Sequence, residues 1–282
     1  MTVVPDRLIG SCVAAATSTA AYRLGRRNPP GGAARWTRTN HRGESLTLLG
    51  GPSVAVGSLV GTAIAPGLPT RLRCAALLAG GTAAVLGAYD DLAGGADAKG
   101  LRGHLGSLAR GQLTTGSAKL VGIGAAGLVA GGLTRPRGSG PTDRLVAGVL
   151  VAGTANLVNL LDLRPGRATK AVVVAALPAL VRGGSGGDCL APPVGAALAL
   201  LAPDLAEQTM LGDAGANCLG ALLGVAAAAG LRRRRSLFAA TAVVSALTLA
   251  SERVSFTAVI ESTPGLREFD AWGRRPVTGP TP

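Results

Sequence analysis

Four polar clusters stand at the ends of apolar runs in the chain. The first is Gly87-Ala-Tyr-Asp90-Asp91, which closes an apolar run from Leu72 to Ala88 with no charge after Arg73. A charge at the centre of a membrane helix costs about 2.5–3.5 kcal/mol on the insertion scale, so this pair marks where a helix leaves the bilayer. Neighbouring carboxylates repel each other, and a divalent cation or a shared proton relieves that repulsion. Mg²⁺ is typically held by one or two carboxylates plus substrate phosphates. Asp90 and Asp91 therefore point to metal-assisted phosphate chemistry at a membrane surface. A solvated helix end looks the same in isolation, so the other clusters must decide.

The second cluster is Asn156-Leu-Val-Asn159-Leu-Leu-Asp162, followed by Leu-Arg164-Pro165-Gly166-Arg167. On a helix, Asn156, Asn159 and Asp162 fall on one side, three residues apart. Amides and a carboxylate near the end of an apolar span need partners: a metal, a substrate or a neighbouring helix. Gly166 gives the backbone a place to turn. The third cluster, Leu211-Gly-Asp213-Ala-Gly-Ala-Asn217, opens another apolar run. Backbone N–H groups at a helix start favour an anion, and Asp213 beside them suits a metal–diphosphate, or else a plain N-cap. The fourth combines Lys99-Gly-Leu with Gly111-Gln-Leu-Thr-Thr-Gly-Ser-Ala-Lys119. Lys119 begins a span, where its ammonium either meets a phosphate or snorkels to the interface. Arg102, His104 and Arg110 add positive charge nearby.

The elements that must carry these clusters follow from composition. The chain has 282 residues, 48% of them hydrophobic and only 2% aromatic. Apolar residues gather in blocks of about 13–21, separated by short Gly, Pro and Arg segments, and the fourth, sixth, seventh and eighth blocks are short for a span. This predicts an all-α, polytopic transmembrane helical bundle of about nine spans. The predicted spans are Leu8–Leu24, Leu46–Pro66, Leu72–Ala88, Lys119–Leu133, Arg144–Leu161, Ala168–Val181, Cys189–Leu201, Asn217–Leu231 and Leu237–Phe256. Much of the apolar content is Ala and Gly, which lets helices approach closely. The net charge of +13 fits basic loops beside apolar helices. It does not fit nucleic-acid binding, because aromatic stacking platforms are nearly absent. Cys12, Cys74, Cys189 and Cys218 are scattered without metal-site spacing and read as buried free thiols.

Six arginines between Arg23 and Arg42 put that segment in the cytoplasm and the N-terminus outside. Counting onward puts Asp90–Ala118, Asp162–Arg167 and Pro203–Ala216 on the cytoplasmic face. Arg232 to Arg235 then fall outside, against the positive-inside rule. Residues 1–266 read as one membrane domain, and the polar, Pro/Gly-rich residues 267–282 as a disordered tail.

In order along the chain, Asp90-Asp91, Lys99-Gly-Leu, Asn156-x-x-Asn159-Leu-x-Asp162 and Gly212-Asp213-x-Gly215 resemble the polyprenyl-phosphate phosphosugar-1-phosphate transferases. That superfamily includes phospho-MurNAc-pentapeptide translocase and the GlcNAc-1-phosphate transferases. Leu48-Leu-Gly-Gly51 is similar to its first cytoplasmic motif. The resemblance implies a helical bundle in the cell membrane with a cytoplasmic-face cleft. It implies Mg²⁺-dependent transfer of a phosphosugar from a UDP-sugar to polyprenyl phosphate in cell-envelope synthesis. By motif, Asp213 and Asn159 would hold Mg²⁺, Asp90 and Asp91 would orient or deprotonate the lipid phosphate, and Lys119 would bind phosphate. Asn156 would contact substrate, and Asp162 would lie near the nucleotide. A homodimer is compatible with this reading.

Three positions depart from the family pattern. Pro165 stands where the second motif usually has another Asp. Ser251-Glu-Arg-Val-Ser-Phe256 stands near the place of a His-rich loop, and Ala216 replaces a common Ser. The alternatives are a catalytically silent paralogue that binds lipid or scaffolds other proteins, and a transporter. A transporter would want its ionisable groups near the bilayer midplane rather than at span ends.

Overall fold

The computed structural model describes residues 3–40, 42–93, 106, 111 and 114–276. The Lys99-Gly-Leu motif, Arg102, His104 and Arg110 lie outside the described residues. Among those described, twelve α-helices and one short hairpin form the fold. The helices are α1 (Val3–Arg27), α2 (Gly50–Ile64), α3 (Thr70–Ala93), α4 (Thr115–Thr134), α5 (Pro141–Leu161), α6 (Arg167–Arg182), α7 (Gly184–Ala199), α8 (Leu201–Leu205), α9 (Gly212–Gly230), α10 (Arg234–Ser251), α11 (Phe256–Ser262) and α12 (Leu266–Ala271). Strands β1 (Thr37–Thr39) and β2 (Ser45–Thr47) pair antiparallel between α1 and α2.

Among the described residues, four helices, α3, α4, α5 and α9, are long and apolar enough to cross a membrane. The count reaches five if α10 and α11, bent by 98° at a short break, form one broken span. The other expected spans are helical as well, but α2, α6 and α7 have only 15 or 16 residues. The expected span from Leu46 starts late because Ser45–Thr47 is strand.

Helix α9 is the central element. It packs against α3 and α5, with α2, α7, α6 and α4 completing its surroundings. Most of its residues are buried, including Leu219, Leu222 and Val225. It can be surrounded because its sequence is nearly all Gly, Ala and Leu, so neighbouring backbones close in on every side. Bulky apolar side chains instead point outward around the bundle, as at Val85, Val121, Val129 and Val243, an arrangement suited to contact with lipid. Cys189 and Cys218 are buried free thiols as expected, but Cys12 and Cys74 are exposed on outward helix faces.

The helix termini sort the charges into two ends. The starts of α4 and α9 and the ends of α3 and α5 carry the acidic and amide motifs. At 1.5 Å per residue, the 19 residues of α9 put its far end roughly 28 Å away. There Arg234 pairs with Asp143 at 2.9 Å, and the Arg135 guanidinium donates to the carbonyls of Ala228 and Leu231. The same end holds Arg7, paired with Asp188.

The chain after Ser251 does not trail away. Where composition suggests disorder from residue 267, α12 is helical and Asp270 is buried. Arg167 donates to both carboxylate oxygens of Asp270, at 2.8 and 2.9 Å. Lys170 Nζ donates to the carbonyls of Phe269, Asp270 and Trp272, and Arg274 reaches the Pro165 carbonyl. Burial alone would raise the Asp270 pKa, but the Arg167 hydrogen bonds and the Arg274 charge outweigh it and hold it below the usual range. Residues 277–282 lie outside the described residues. Removing one partner of a buried ion pair strands the other charge, at a cost on the order of 3 kcal/mol. Asp270→Ala is therefore expected to lower the melting temperature and to expose the chain after Arg253 to limited proteolysis. Asp270→Glu should restore part of the protection.

Candidate functional site

The centre of the motif-bearing end is one ammonium group. Lys119 sits one turn into α4, which a reciprocal capping box starts: Ser117 N donates to Thr114 Oγ1 and Thr114 N to Ser117 Oγ. From there Lys119 Nζ lies 2.6 Å from Asp90 Oδ2 on α3 and 2.5 Å from Asp213 Oδ2 on α9. The two carboxyl groups are also within hydrogen-bond reach of each other, and the Thr115 hydroxyl donates to Asp90. Three helices meet at this triad. All three side chains are about three-quarters or more buried, so the low local dielectric strengthens the pairing.

Asp91 does something different from Asp90. Its Oδ1 and Oδ2 accept the backbone N–H groups of Asp213 and Ala214, both at 3.0 Å. It caps α9 from a neighbouring helix, satisfying N–H groups that have no partner within α9. The geometry therefore gives Asp91 a positioning task, where the motif resemblance implies contact with the lipid phosphate. The approach that permits this cap depends on Gly87: a Cβ there would lie 2.3 Å from the Asp213 carbonyl oxygen. Arg38 of β1 also donates to the Asp91 carbonyl, tying the hairpin to the end of α3. The plain N-cap expected for Asp213 itself is absent, because the cap comes from Asp91 instead.

The loop before α9 is fixed by the hairpin. Thr209 Oγ1 donates to the Thr47 carbonyl and accepts from Gly50 N, and Thr47 and Thr209 form a β-bridge. Glu207 adopts a positive φ of 58°, rare for a residue with a side chain. Its buried carboxylate accepts from Asn40 Nδ2 at 2.6 Å and Arg42 Nε at 2.9 Å. Those contacts hold the strained turn that leads into Asp213.

An apolar cavity of about 510 Å³ opens beside the triad, between α4, α5 and α10. Lys119, Asn156, Asn159 and Asn217 line its polar end, with Thr248 and Glu252 contributed from the end of α10, and Ile123, Leu128 and Val149 its apolar length. Asn217 Nδ2 donates to the Asp213 carbonyl. So Asn156 and Asn159 share one cavity with Lys119, and Lys119 in turn joins Asp90 and Asp213.

Asp162 caps the end of α5 and accepts the Gly212 N–H. Its partner in charge is Asp204 on α8, which the motifs did not single out. Asp204 is 4% exposed and accepts the Gly166 N–H. Gly166 has φ 70°, the turn expected from sequence. Thus Asp204 brings a carboxylate to the loop in which Pro165 replaces one. One carboxylate oxygen of each residue, Oδ2, is buried without a hydrogen-bond partner. Burial, and then the charge of Asp204, raises the Asp162 pKa well above the ordinary carboxyl range. Burial pushes Asp204 up to about 7. The sequence signal for Asp204 was a single carboxylate inside an apolar stretch, Leu200 to Leu205.

Among the described residues, no three His, Cys, Asp or Glu side chains group as a preformed metal cage. The donors present are hard oxygens: Asp213, the Asn159 amide and the orphaned Asp162 Oδ2. Oxygen donors of this type are the ones that Mg²⁺ takes, one or two carboxylates alongside phosphate oxygens and water.

Two outcomes follow from this geometry. Asp91→Ala should cost about 1 kcal/mol of stability through the lost α9 cap, measured by thermal unfolding, and Asp91→Asn should cost less. The folded-state pKa of Asp204 lies above its unfolded value near 4. Its stabilising contribution is therefore complete below about pH 4 and falls by ~1.4 kcal/mol per pH unit as pH rises toward 7. Asp204→Asn should flatten unfolding stability between pH 4 and 7; an unchanged slope would show that Asp204 ionises freely. No family model matches the chain, and no curated protein matches it.

Proposed function

We propose that the protein transfers a phosphosugar from a UDP-sugar to polyprenyl phosphate at the cytoplasmic face of the cell membrane. The observation that carries this reading is the Lys119–Asp90–Asp213 triad at the mouth of the apolar cavity. A polyprenyl chain is apolar along its length and anionic at one end. The cavity has the same polarity, with Lys119, Asn156 and Asn159 at the end that a phosphate would reach.

In this reading the nine longer helices, α1 to α7, α9 and α10, cross the membrane. Arg23, Arg26, Arg27, Arg35, Arg38 and Arg42 lie toward the triad end, which agrees with a cytoplasmic cleft. Lys119 exchanges a carboxylate partner for a phosphate oxygen, so an incoming anion is stabilised where a positive charge is already held. Asp90, held by Thr115 and Lys119, orients the lipid phosphate. An oxygen of that phosphate attacks the sugar-bearing phosphorus in line. The new P–O bond forms as the bond to UMP breaks, and UMP leaves with the electron pair. Asp213 and Asn159 would hold Mg²⁺, which supplies neutralisation of the diphosphate charge. Asp91 and Asp162 keep the α9 start aligned through the N–H groups of residues 212 to 214.

A second reading is a lipid-binding membrane protein without transfer activity. It draws on the same triad, because the ammonium is already neutralised by two carboxylates and no preformed metal cage is grouped among the described residues. Radiolabelled UDP-sugars offered to membranes with polyprenyl phosphate, with and without Mg²⁺, separate the two. Transfer predicts a lipid-linked product that needs Mg²⁺ and falls at least about a hundredfold in Lys119→Met and Asp213→Asn. No product with any common UDP-sugar, beside a working family member, would leave only the lipid-binding reading.

A further inference from the structure

A second cavity, about 480 Å³, opens on the opposite flank of the bundle between α1 and the α7–α8 turn. Thr19, Tyr22, Arg23, Arg26 and Arg27 line it from α1, and Pro203 faces them. Tyr22 shares a buried cluster with Leu49 and Leu211, which puts this cavity at the same end of the bundle as the triad.

Basic residues at the end of a helix are ordinary, since they complement the helix dipole. Three features here exceed that explanation. Arg23, Arg26 and Arg27 form no ion pair among the described residues, whereas eight other arginines do. Tyr22 is 7% exposed, and its hydroxyl is buried without a hydrogen-bond partner. That is an unmet donor and acceptor in the wall of a basic cavity. The Arg26 guanidinium lies over the Tyr22 ring, 5.8 Å from its centroid, so the cation is held against the side chain that carries that hydroxyl.

We infer that this cavity binds the phosphate headgroup of an anionic phospholipid from the surrounding bilayer. Three unpaired guanidiniums and a free hydroxyl match a phosphodiester, which offers only acceptors. Leu24 and Leu198, on the same two helices, are 63% and 48% exposed. They adjoin the cavity-lining Arg23 and Ala199 in the chain and offer apolar side chains to the acyl chains. Basic pockets between membrane helices on the cytoplasmic side take anionic headgroups for this reason. The inference rests on the membrane location of the bundle and not on the transfer reaction.

Native mass spectrometry of the full chain, released from detergent, tests it by counting bound lipids. Phosphatidylglycerol is compared with phosphatidylcholine of the same acyl chains, and with inorganic phosphate as competitor. Wild type should retain phosphatidylglycerol selectively. The Arg23→Gln/Arg26→Gln/Arg27→Gln variant should lose at least about tenfold in affinity, since each Arg near an anionic surface contributes roughly fivefold. A control, Arg232→Gln/Arg233→Gln/Arg235→Gln, removes the same charge at the far end and should bind like wild type. Equal binding by the pocket variant, equal retention of phosphatidylcholine, or full displacement by millimolar phosphate would each overturn the inference. Should the triple variant fail to fold, Tyr22→Phe serves instead: it keeps the ring and removes the hydroxyl. It is expected to weaken phosphatidylglycerol binding several-fold, and unchanged binding would count against the site.

Discussion

The Lys119 ammonium is the charge on which the site end of the bundle depends. It sits between Asp90 and Asp213, carried by three helices that share no local sequence. Inside a bundle of Ala, Gly and Leu, each of these charges alone would be costly. Together, two carboxylates and one ammonium leave a net single negative charge at a cavity mouth. A cation or a protonated partner balances that remainder, and either makes the centre responsive to what enters the cavity.

The rest of the structure holds that triad in register. Asp91 fixes the start of α9 to the end of α3, and Asp162 fixes it to the end of α5. The hairpin pins the preceding loop through Thr47, Thr209 and Glu207. The C-terminal segment pins the loop after α5 through Arg167, Lys170 and Arg274. Positioning by several elements at once gives a site on helix ends the stiffness that loops lack.

Much of this is legible in the sequence. Asp90, Lys119, Asn159 and Asp213 stand out because polar residues at the ends of apolar runs need partners, and the helical blocks follow from the apolar runs themselves. Asp204 stayed hidden because a lone carboxylate in a short apolar stretch has no motif. Its partner, the Gly166 N–H, lies 38 positions away in the chain. The different tasks of Asp90 and Asp91 were also illegible. Adjacent residues on a helix point about 100° apart, and only the neighbouring helices decide what each one meets. Residues 267–276 read as a tail because they are polar. Polar segments order when a buried charge elsewhere requires them, and Arg167 does. Of the nine expected spans, four helices meet the stricter measure of length and hydropathy, or five with the bent pair, and α2, α6 and α7 fall short of it in length.

The Arg167–Asp270 pair joins residues 103 positions apart. A ribosome therefore completes α6 well before the carboxylate that neutralises it exists. Until then the loop from Asp162 to Arg167 has α5, Asp204 of α8 and the Gly212 N–H of α9 as partners, without its C-terminal anchor. Synthesis order thus sets assembly order. A product that stops short of α12 leaves a bare guanidinium in the bundle, a lesion that quality-control proteases can recognise in a nascent membrane protein.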